Sequence, residues 1–413
     1  MSDTKKQSVC RSCGEPLSAT ILDLRAQPLA NKLLNNPREA HRELRFPLDL
    51  KVCPSCYLMQ LGHTVPPEAL FSDYLYFSSV SDAMVAHASR ATESHQREYA
   101  LGGDSFVVEI ASNDGYLLKN FVNSGVPCLG VEPAQNIADV ALANGIPTLQ
   151  KFFTEDTAEQ IVRNYNQADL ILGNNVFAHV PDINGFVKGL CLLLAPEGRV
   201  ILEFPWAHEM VKKLEFDTIY HEHFFYFHGR ALVPLFARHG LEMVRIEKLP
   251  IHGGSLRIHV AREGVKTPDG SVSALVEEEG KAGVGTAAYA EVFGQRVKQL
   301  KDELVGELGR LKSSGKRIAA YGASAKGSTL LNYCGIGREL LEFVVDRSPH
   351  KQGKFTPGTH LPILPTAALE EQMPDVTLLL TWNFAEEIAA QQGNYLRNGG
   401  KFLVPVPHPH YLS

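Results

Sequence analysis

Residues 105–122 read SFVVEIASNDGYLLKNFV, and this stretch decides the fold. Ser105 to Ile110 is a short apolar run of strand type. Apolar residues then recur at Tyr116, Leu117, Leu118 and Phe121, so a strand passes through a polar loop into a helix starting near Gly115. Asn113 or Asp114 is placed to cap that helix, and Gly115 allows a ligand close to the backbone. The next run, Pro127 to Val131, ends at Glu132, about 20 residues past the loop, where a doubly wound fold puts a carboxylate that accepts from ribose hydroxyls. Asp169 to Gly173 leads into NNVFAHV, and Arg199 to Phe204 into EFPW. Alternation of this kind makes the fold class α/β, with a Rossmann-like parallel sheet at the centre.

The chemistry of the first loop selects its ligand. A dinucleotide site wants G-x-G-x-x-G to admit a pyrophosphate at the helix start. Here one glycine stands among Glu109 and Asp114, whose charges repel phosphate. S-adenosylmethionine carries a sulfonium cation and an amino group but no phosphate, so an acidic loop suits it.

Outward toward the N-terminus lie Cys10 and Cys13 in CRSCG, then Cys53 and Cys56 in CPSCY. Two C-x2-C turns aim four thiolates at one point, which fills the tetrahedral shell of a structural zinc ion. Cys128, Cys191 and Cys334 read as single buried thiols. With 413 residues the chain has room for two or three domains. Its formal charge of -6 excludes broad electrostatic nucleic-acid binding. It shows no apolar run of spanning length and no secretory signal, so it is expected in the cytoplasm, where thiols stay reduced.

DTIYHEHFFYFH, Asp217 to His228, is dense in histidine and aromatic residues. In a strand Tyr220 and Glu222 face one way and His223 the other, whereas in a helical turn Tyr220 and His223 share a face. Histidine moves protons near neutral pH, tyrosine donates to a developing oxyanion, and a buried Glu222 can orient an imidazole. A metal-binding cluster and a packed aromatic turn are the bland alternatives.

Beyond a charged helical stretch, Ala274 to Leu311, KRIAAY (Lys316 to Tyr321) is a strand entering a second glycine-containing loop, GASAKGSTLLNYC. Lys326 makes this loop, which opens on Gly322 and Ala323, basic, for no carboxylate accompanies it, and amides at a helix start plus a lysine suit a diphosphate. The following strand, Leu341 to Val345, ends at Asp346, again a candidate for ribose. Lys351 and Lys354 follow, and TLLLTWNF ends in Trp382 and Asn383.

In order, CxxC…CxxC, VVEIASNDGYLL, NNVFAHVPD, YHEHFFYF, HGGSLR, YGASAKGSTLLNYC and DRSPHKQGKFTPGTHLPI resemble the sugar C-methyltransferases of deoxysugar biosynthesis. The resemblance runs from about Cys10 to the C-terminus. It implies a monomer of three parts: a zinc-binding domain (1–70), a Rossmann-like S-adenosylmethionine domain (71–265) and a second Rossmann-like domain for the nucleotide sugar (266–413). It also implies that Glu109, Ala111, Asn113 and Gly115, with Asp114, line the methyl donor. Glu132 would hold the donor's ribose, and Phe153 and Asn175 would lie near its adenine or methionine end. Relatives often have glycine where Ala111 stands. His179, Tyr220, Glu222 and His223 match the cluster around the sugar, and Tyr74, or Tyr76 in its place, corresponds to a further tyrosine.

The expected reaction is methylation of a carbon, C-3 or C-5, next to the 4-keto group of a TDP-linked deoxysugar. His223 is the expected base, Glu222 its orienter, and Tyr220 with His179 the donors to the enolate oxygen. Gly322, Ala323, Lys326, Asp346, Lys351 and Asn383 would hold the nucleotide. Two rivals make different demands. A nicotinamide oxidoreductase needs a glycine fingerprint that YGASAKG meets poorly, and a zinc-ribbon RNA methyltransferase needs a basic strip.

Overall fold

The structure, a computed structural model, describes residues 4–17, 20–66, 69–70 and 77–412. Tyr74 and Tyr76 lie outside the described residues. The first part of the chain supplies strands β1 (Thr20–Pro28), β2 (Arg45–Val52) and β3 (Met59–Leu61).

The central part follows with α1 (Asp82–Glu98), β4 (Val107–Ile110), α2 (Leu118–Asn123), β5 (Cys128–Val131), α3 (Gln135–Ala143) and β6 (Thr148–Leu149). It continues through β7 (Ala168–Asn174), β8 (Leu194–Pro205), β9 (Phe225–Tyr226), β10 (Leu241–Leu249) and β11 (Ser255–Arg262). These strands make a seven-stranded sheet in the order β10-β11-β8-β7-β4-β5-β6. β6, β5, β4, β7 and β8 run parallel, and β11 is antiparallel to both its neighbours. Val107, Val108 and Ile110 are buried on both faces, which is why the run is unbroken by polar residues apart from Glu109. β9 leaves this sheet and pairs with β3, so the histidine-rich segment is sewn to the cysteine-bearing part, in the order β9-β3-β2-β1.

The helix after β4 begins at Leu118, later than the expected Gly115. Ala111, Asn113 and Gly115 all have left-handed φ (54°, 52° and 79°), a conformation that cannot propagate a right-handed helix. Asn113 and Asp114 do not cap the helix. Their carboxyl and amide oxygens accept instead from the backbone N–H groups of Ser79 and Ser78, fastening the turn before α1 to the loop. Gly115 faces the core, where a Cβ would lie 2.7 Å from Ile146.

The C-terminal part contains α4 (Ala287–Ser313), β12 (Ile318–Tyr321), α5 (Ala325–Cys334), β13 (Val344–Val345), β14 (Ile363–Leu364), β15 (Val376–Leu379), β16 (Lys401–Val404) and β17 (His410–Tyr411). Its six-stranded sheet has the order β14-β13-β12-β15-β16-β17, parallel except for β17. The expected single connecting helix is two, because Gly283 and Gly285 (φ 74° and 87°) break it between Gly270–Lys281 and α4. Val297, Leu300, Leu304 and Leu308 of α4 are buried, while Val292 turns to solvent. Cys128 and Cys334 are buried as read from the sequence, but Cys191 is only half-buried, its sulfur accepting from Arg262.

Candidate active site and metal centre

The four cysteines of the two turns converge, with sulfur atoms all within 4.8 Å of one another. Cys10 and Cys56 sulfurs are 3.6 Å apart and those of Cys13 and Cys53 are 3.4 Å apart. A tetrahedron of Zn–S bonds of about 2.3 Å has edges of about 3.8 Å, so the donor set fits zinc. The turns are built alike. In each, the N–H four residues past the first cysteine bonds its carbonyl, Gly14 to Cys10 at 2.9 Å and Tyr57 to Cys53 at 3.0 Å. Those two residues, Gly14 and Tyr57, both have left-handed φ (82° and 65°). Gln60 donates to the Cys10 sulfur and the Cys56 amide to the Cys53 sulfur, as thiolates require of their surroundings. The first turn also projects Arg11, whose guanidinium bonds the Phe224 carbonyl at 2.9 Å and lies over the Phe225 ring.

A cavity of about 990 Å³ lies between the central and C-terminal sheets. That is the upper end of the range for one small-ligand site, so there is room for two reactants. On the central side it is lined by Ala111, Asn113, Glu132, Phe153, Asn175 and His179. Asn175, like Ala111 and Asn113, is left-handed (φ 55°), which turns this rim of the sheet toward the cavity. Tyr220 and His223 line the middle, and Ala323, Lys326, Asp346, Lys351 and Asn383 line the far side. Glu109, Asp114, Gly115, Glu222 and Gly322 stand behind this surface rather than on it. Gly322, left-handed at φ 96°, leaves room for Thr381, which a Cβ would meet at 2.6 Å.

Two carboxylates pin the two loops in the same way. Glu132 accepts from the amides of Asn113 (3.1 Å) and Ala134 (2.9 Å). Asp346 accepts from the amides of Ala323 and Ser348, both at 2.8 Å. Their neighbours differ in charge. The central side of the cavity also carries Asp156 and Glu155, the latter paired with Lys188 at 3.8 Å, whereas Asp346 has the Lys351 ammonium at 3.6 Å, and Lys326 lines the same side. Buried Glu109 does not supply the acidity expected of it. Burial, then the neighbouring Asp114 and Glu132, hold its carboxyl well above the usual range, which disfavours its charged form. Beside Glu132, the carboxylates that do line the cavity on this side include Glu155 and Asp156, which no sequence motif marks.

Tyr220 and His223 meet through a turn, His223 N–H bonding the Tyr220 carbonyl, so the helical-turn alternative describes this segment and β9 follows it. His223 Nδ1 lies 2.8 Å from the Thr218 carbonyl, which only accepts, so Nδ1 carries the proton. Nε2 is then the basic nitrogen, and the Tyr220 hydroxyl donates to it at 2.8 Å. His179 stands edge-on to His223 with centroids 4.8 Å apart. Burial pushes His179 down to about 4, which keeps it a neutral imidazole. The expectation that Glu222 orients His223 gives way here. Glu222 accepts from the side-chain amide of Asn31 at 2.7 Å, and burial raises it to about 7. The Thr218 carbonyl holds the ring in its place. Asn31 and Leu33, from the segment between β1 and β2, also line the cavity. No motif marked them, because their place depends on how the first sheet docks.

Three family models match in sequence: a zinc binding domain over residues 10–71, a methyltransferase domain over 88–246, and a C-methyltransferase C-terminal domain over 250–407. The C-methyltransferase NovU of Streptomyces niveus is 36% identical over 405 residues, covering 98% of this chain and 96% of that one. The chain belongs to the C-methyltransferase family. As such it is an S-adenosylmethionine-dependent C-methyltransferase with an N-terminal zinc-binding part. A ubiquinone biosynthesis O-methyltransferase of Bartonella tribocorum is 29% identical over 93 residues, 22% of this C-methyltransferase and 38% of that protein. Among solved structures, magnesium protoporphyrin IX methyltransferase from Synechocystis PCC 6803 matches with 12% identity over 43% of this chain and 83% of that one. Its TM-score of 0.35 is too slight a likeness to carry weight. Among the described residues no helix is long and apolar enough to cross a membrane.

Proposed function

We propose that this C-methyltransferase transfers a methyl group to the carbon next to the 4-keto group of a TDP-linked deoxysugar, C-3 being the position favoured. One observation carries the reading: the Tyr220–His223 pair lies in a single cavity between an acidic-walled loop and a lysine-bearing loop. The donor, bound along residues 71–265, supplies an electrophilic methyl on a sulfonium, and its cationic end suits the wall of Glu132, Glu155 and Asp156. The nucleotide diphosphate, on residues 266–413, suits Lys326 and the amides at the start of α5. One chain holds both half-sites, so a monomer suffices. We place the reaction in the cytoplasm, where the cysteine thiols are kept reduced.

The proton accounting constrains the roles. Tyr220 has one proton and gives it to His223 Nε2 in the resting site. When the substrate ketone takes that O–H, Nε2 is freed to accept the proton of the adjacent C–H. The electron pair of that bond becomes the enolate, whose oxygen Tyr220 and neutral His179 stabilise by donation. The enolate carbon then forms its bond to the methyl as the S–CH3 bond breaks, leaving S-adenosylhomocysteine and a restored ketone. Tyr220 thus serves base and oxyanion in turn. The test is solvent exchange: in D2O with S-adenosylhomocysteine, TDP-4-keto-2,6-dideoxyglucose should gain deuterium at C-3. His223→Asn should abolish both exchange and methylation while TDP still binds. Near-normal turnover in His223→Asn would remove the base assignment, and methylation at C-5 of the corresponding C-5-acceptor would move the position.

A further inference from the structure

The ring of His223 is set by a carbonyl that belongs to a short turn, Phe216–Thr218, and that turn is gripped by the C-terminal part of the chain. Trp382 Nε1 donates to Asp217 Oδ2 at 2.7 Å. The hydroxyl of Thr329, on α5, donates to the Ile219 carbonyl at 3.2 Å. The Phe216 ring meets Tyr333, also on α5, edge to face with centroids 5.3 Å apart. The Thr218 carbonyl that bonds His223 Nδ1 therefore sits between two hydrogen-bonded fastenings, both made by residues that flank the lysine-bearing loop.

Asp217 is fully buried, and its second oxygen is without a hydrogen-bond partner. A carboxylate so placed is costly unless something holds it there. The Trp382 indole N–H bonds it, and the charge of Lys326, whose ammonium stands 4.7 Å over the same indole ring, acts against the burial that holds the Asp217 carboxyl above its ordinary value. Lys326 and the residues either side of Trp382, Thr381 and Asn383, line the cavity, whereas Trp382 and Asp217 do not.

We propose that Asp217 and Trp382 are positioning residues that couple the acceptor-binding loop to the base. Their hydrogen bond fixes the 216–218 turn, and the turn fixes the Nδ1–H tautomer and direction of the His223 ring. The inference rests on His223 being the base. It assigns to the C-terminal half a task beyond holding the nucleotide: the base is aligned only while that half is in place.

The experiment uses the full chain with TDP-4-keto-2,6-dideoxyglucose and S-adenosylhomocysteine in D2O, reading deuterium gain at C-3, with TDP affinity measured by calorimetry. Trp382→Phe keeps the ring over Lys326 and removes the donor. Asp217→Ala removes the acceptor, and Asp217→Asn keeps an oxygen that Trp382 can reach. Exchange and kcat should fall about tenfold or more in Trp382→Phe and Asp217→Ala, recover to within about threefold in Asp217→Asn, and leave TDP affinity within about twofold in all three. Labelled-histidine NMR should show His223 as a mixture of tautomers in the first two. Thr329→Val provides a second route to the same loss should Asp217→Ala fail to fold. The proposal is overturned if folded Trp382→Phe exchanges within about twofold of the parent, or if its loss of rate is matched by an equal loss of TDP affinity. Persistence of exchange in His223→Asn would instead bring down the base assignment on which the inference stands.

Discussion

Glu132→Gln should disable the donor half-site and leave the acceptor half-site intact. The carboxylate accepts the amides of Asn113 and Ala134, at 3.1 and 2.9 Å. It holds a loop in which Ala111 and Asn113, two residues with a Cβ, sit at φ 54° and 52°. Each such residue costs about 1–2 kcal/mol to keep left-handed, and each hydrogen bond to a charged acceptor contributes about 1.5–3 kcal/mol. Pin and strain are therefore of similar size, and weakening the pin frees the loop. Glutamine keeps one accepting oxygen and turns an NH2 toward the other amide, so one bond is lost. At about 2 kcal/mol that loss is about 30-fold in affinity. Calorimetric titration with S-adenosylhomocysteine is the assay, at pH 8 because burial raises the Glu132 carboxyl above its ordinary value. TDP should bind the variant as it binds the parent. Asp346→Asn, which weakens the matching pin on Ala323 and Ser348, should give the converse pattern. An S-adenosylhomocysteine affinity within about threefold of the parent would refute the reasoning, because the loop would then hold its shape without the pin.

Other perturbations test other parts of the structure. Stripping the metal with a mercurial and a chelator should release about one zinc per chain. Amide exchange should then quicken at Phe224 and Phe225, which Arg11 of the first cysteine turn holds. Glu222 binds its proton more tightly folded than unfolded, its pKa raised from 4.5 to about 7, so its stabilising contribution is present at low pH and lost as pH rises through 7. Glu222→Gln should accordingly match the parent near pH 4.5 and exceed it by up to about 3 kcal/mol at pH 8, read from urea midpoints. Arg257→Met strands the buried Glu203 with His87 as its remaining ionic partner, and should cost about 3 kcal/mol in the same assay. Replacing Glu203 by leucine in that variant should recover much of the loss, since two apolar groups leave no buried charge.

The legible parts of the sequence were those whose physics is local. Val107 to Ile110 announces a buried parallel strand, and two C-x2-C turns announce a metal shell because the ligands and their turns are adjacent in the chain. The Tyr220–His223 pair was legible to the same degree, three residues apart in one turn. Glu222 was misread for the opposite reason. Adjacent in sequence to His223, it turns away to Asn31, and the group that holds the imidazole is a backbone carbonyl, which no side-chain pattern reveals. The helix cap was misread because Asn113 and Asp114 satisfy amides of Ser78 and Ser79, some 35 residues away. Long-range partners decide such side chains, and one sequence does not record them.

The charge of the loops raises a sharper point. Glu109 and Asp114, the acidity expected to select a cationic donor, do not line the cavity, and burial holds the Glu109 carboxyl well above its ordinary range. The two loops are nearly equivalent in construction: each is a strand end with a carboxylate accepting one amide from the facing loop and one from two residues onward. If the loops themselves chose the ligands, like construction would choose like ligands. What differs is the charge of the other side chains lining the cavity, Glu155 and Asp156 from the central part, Lys326 and Lys351 from the C-terminal part. On the proposed function, ligand choice would therefore reside in these side chains, and the shared pin would do the same work for both loops: it presents a rim of backbone held by a carboxylate.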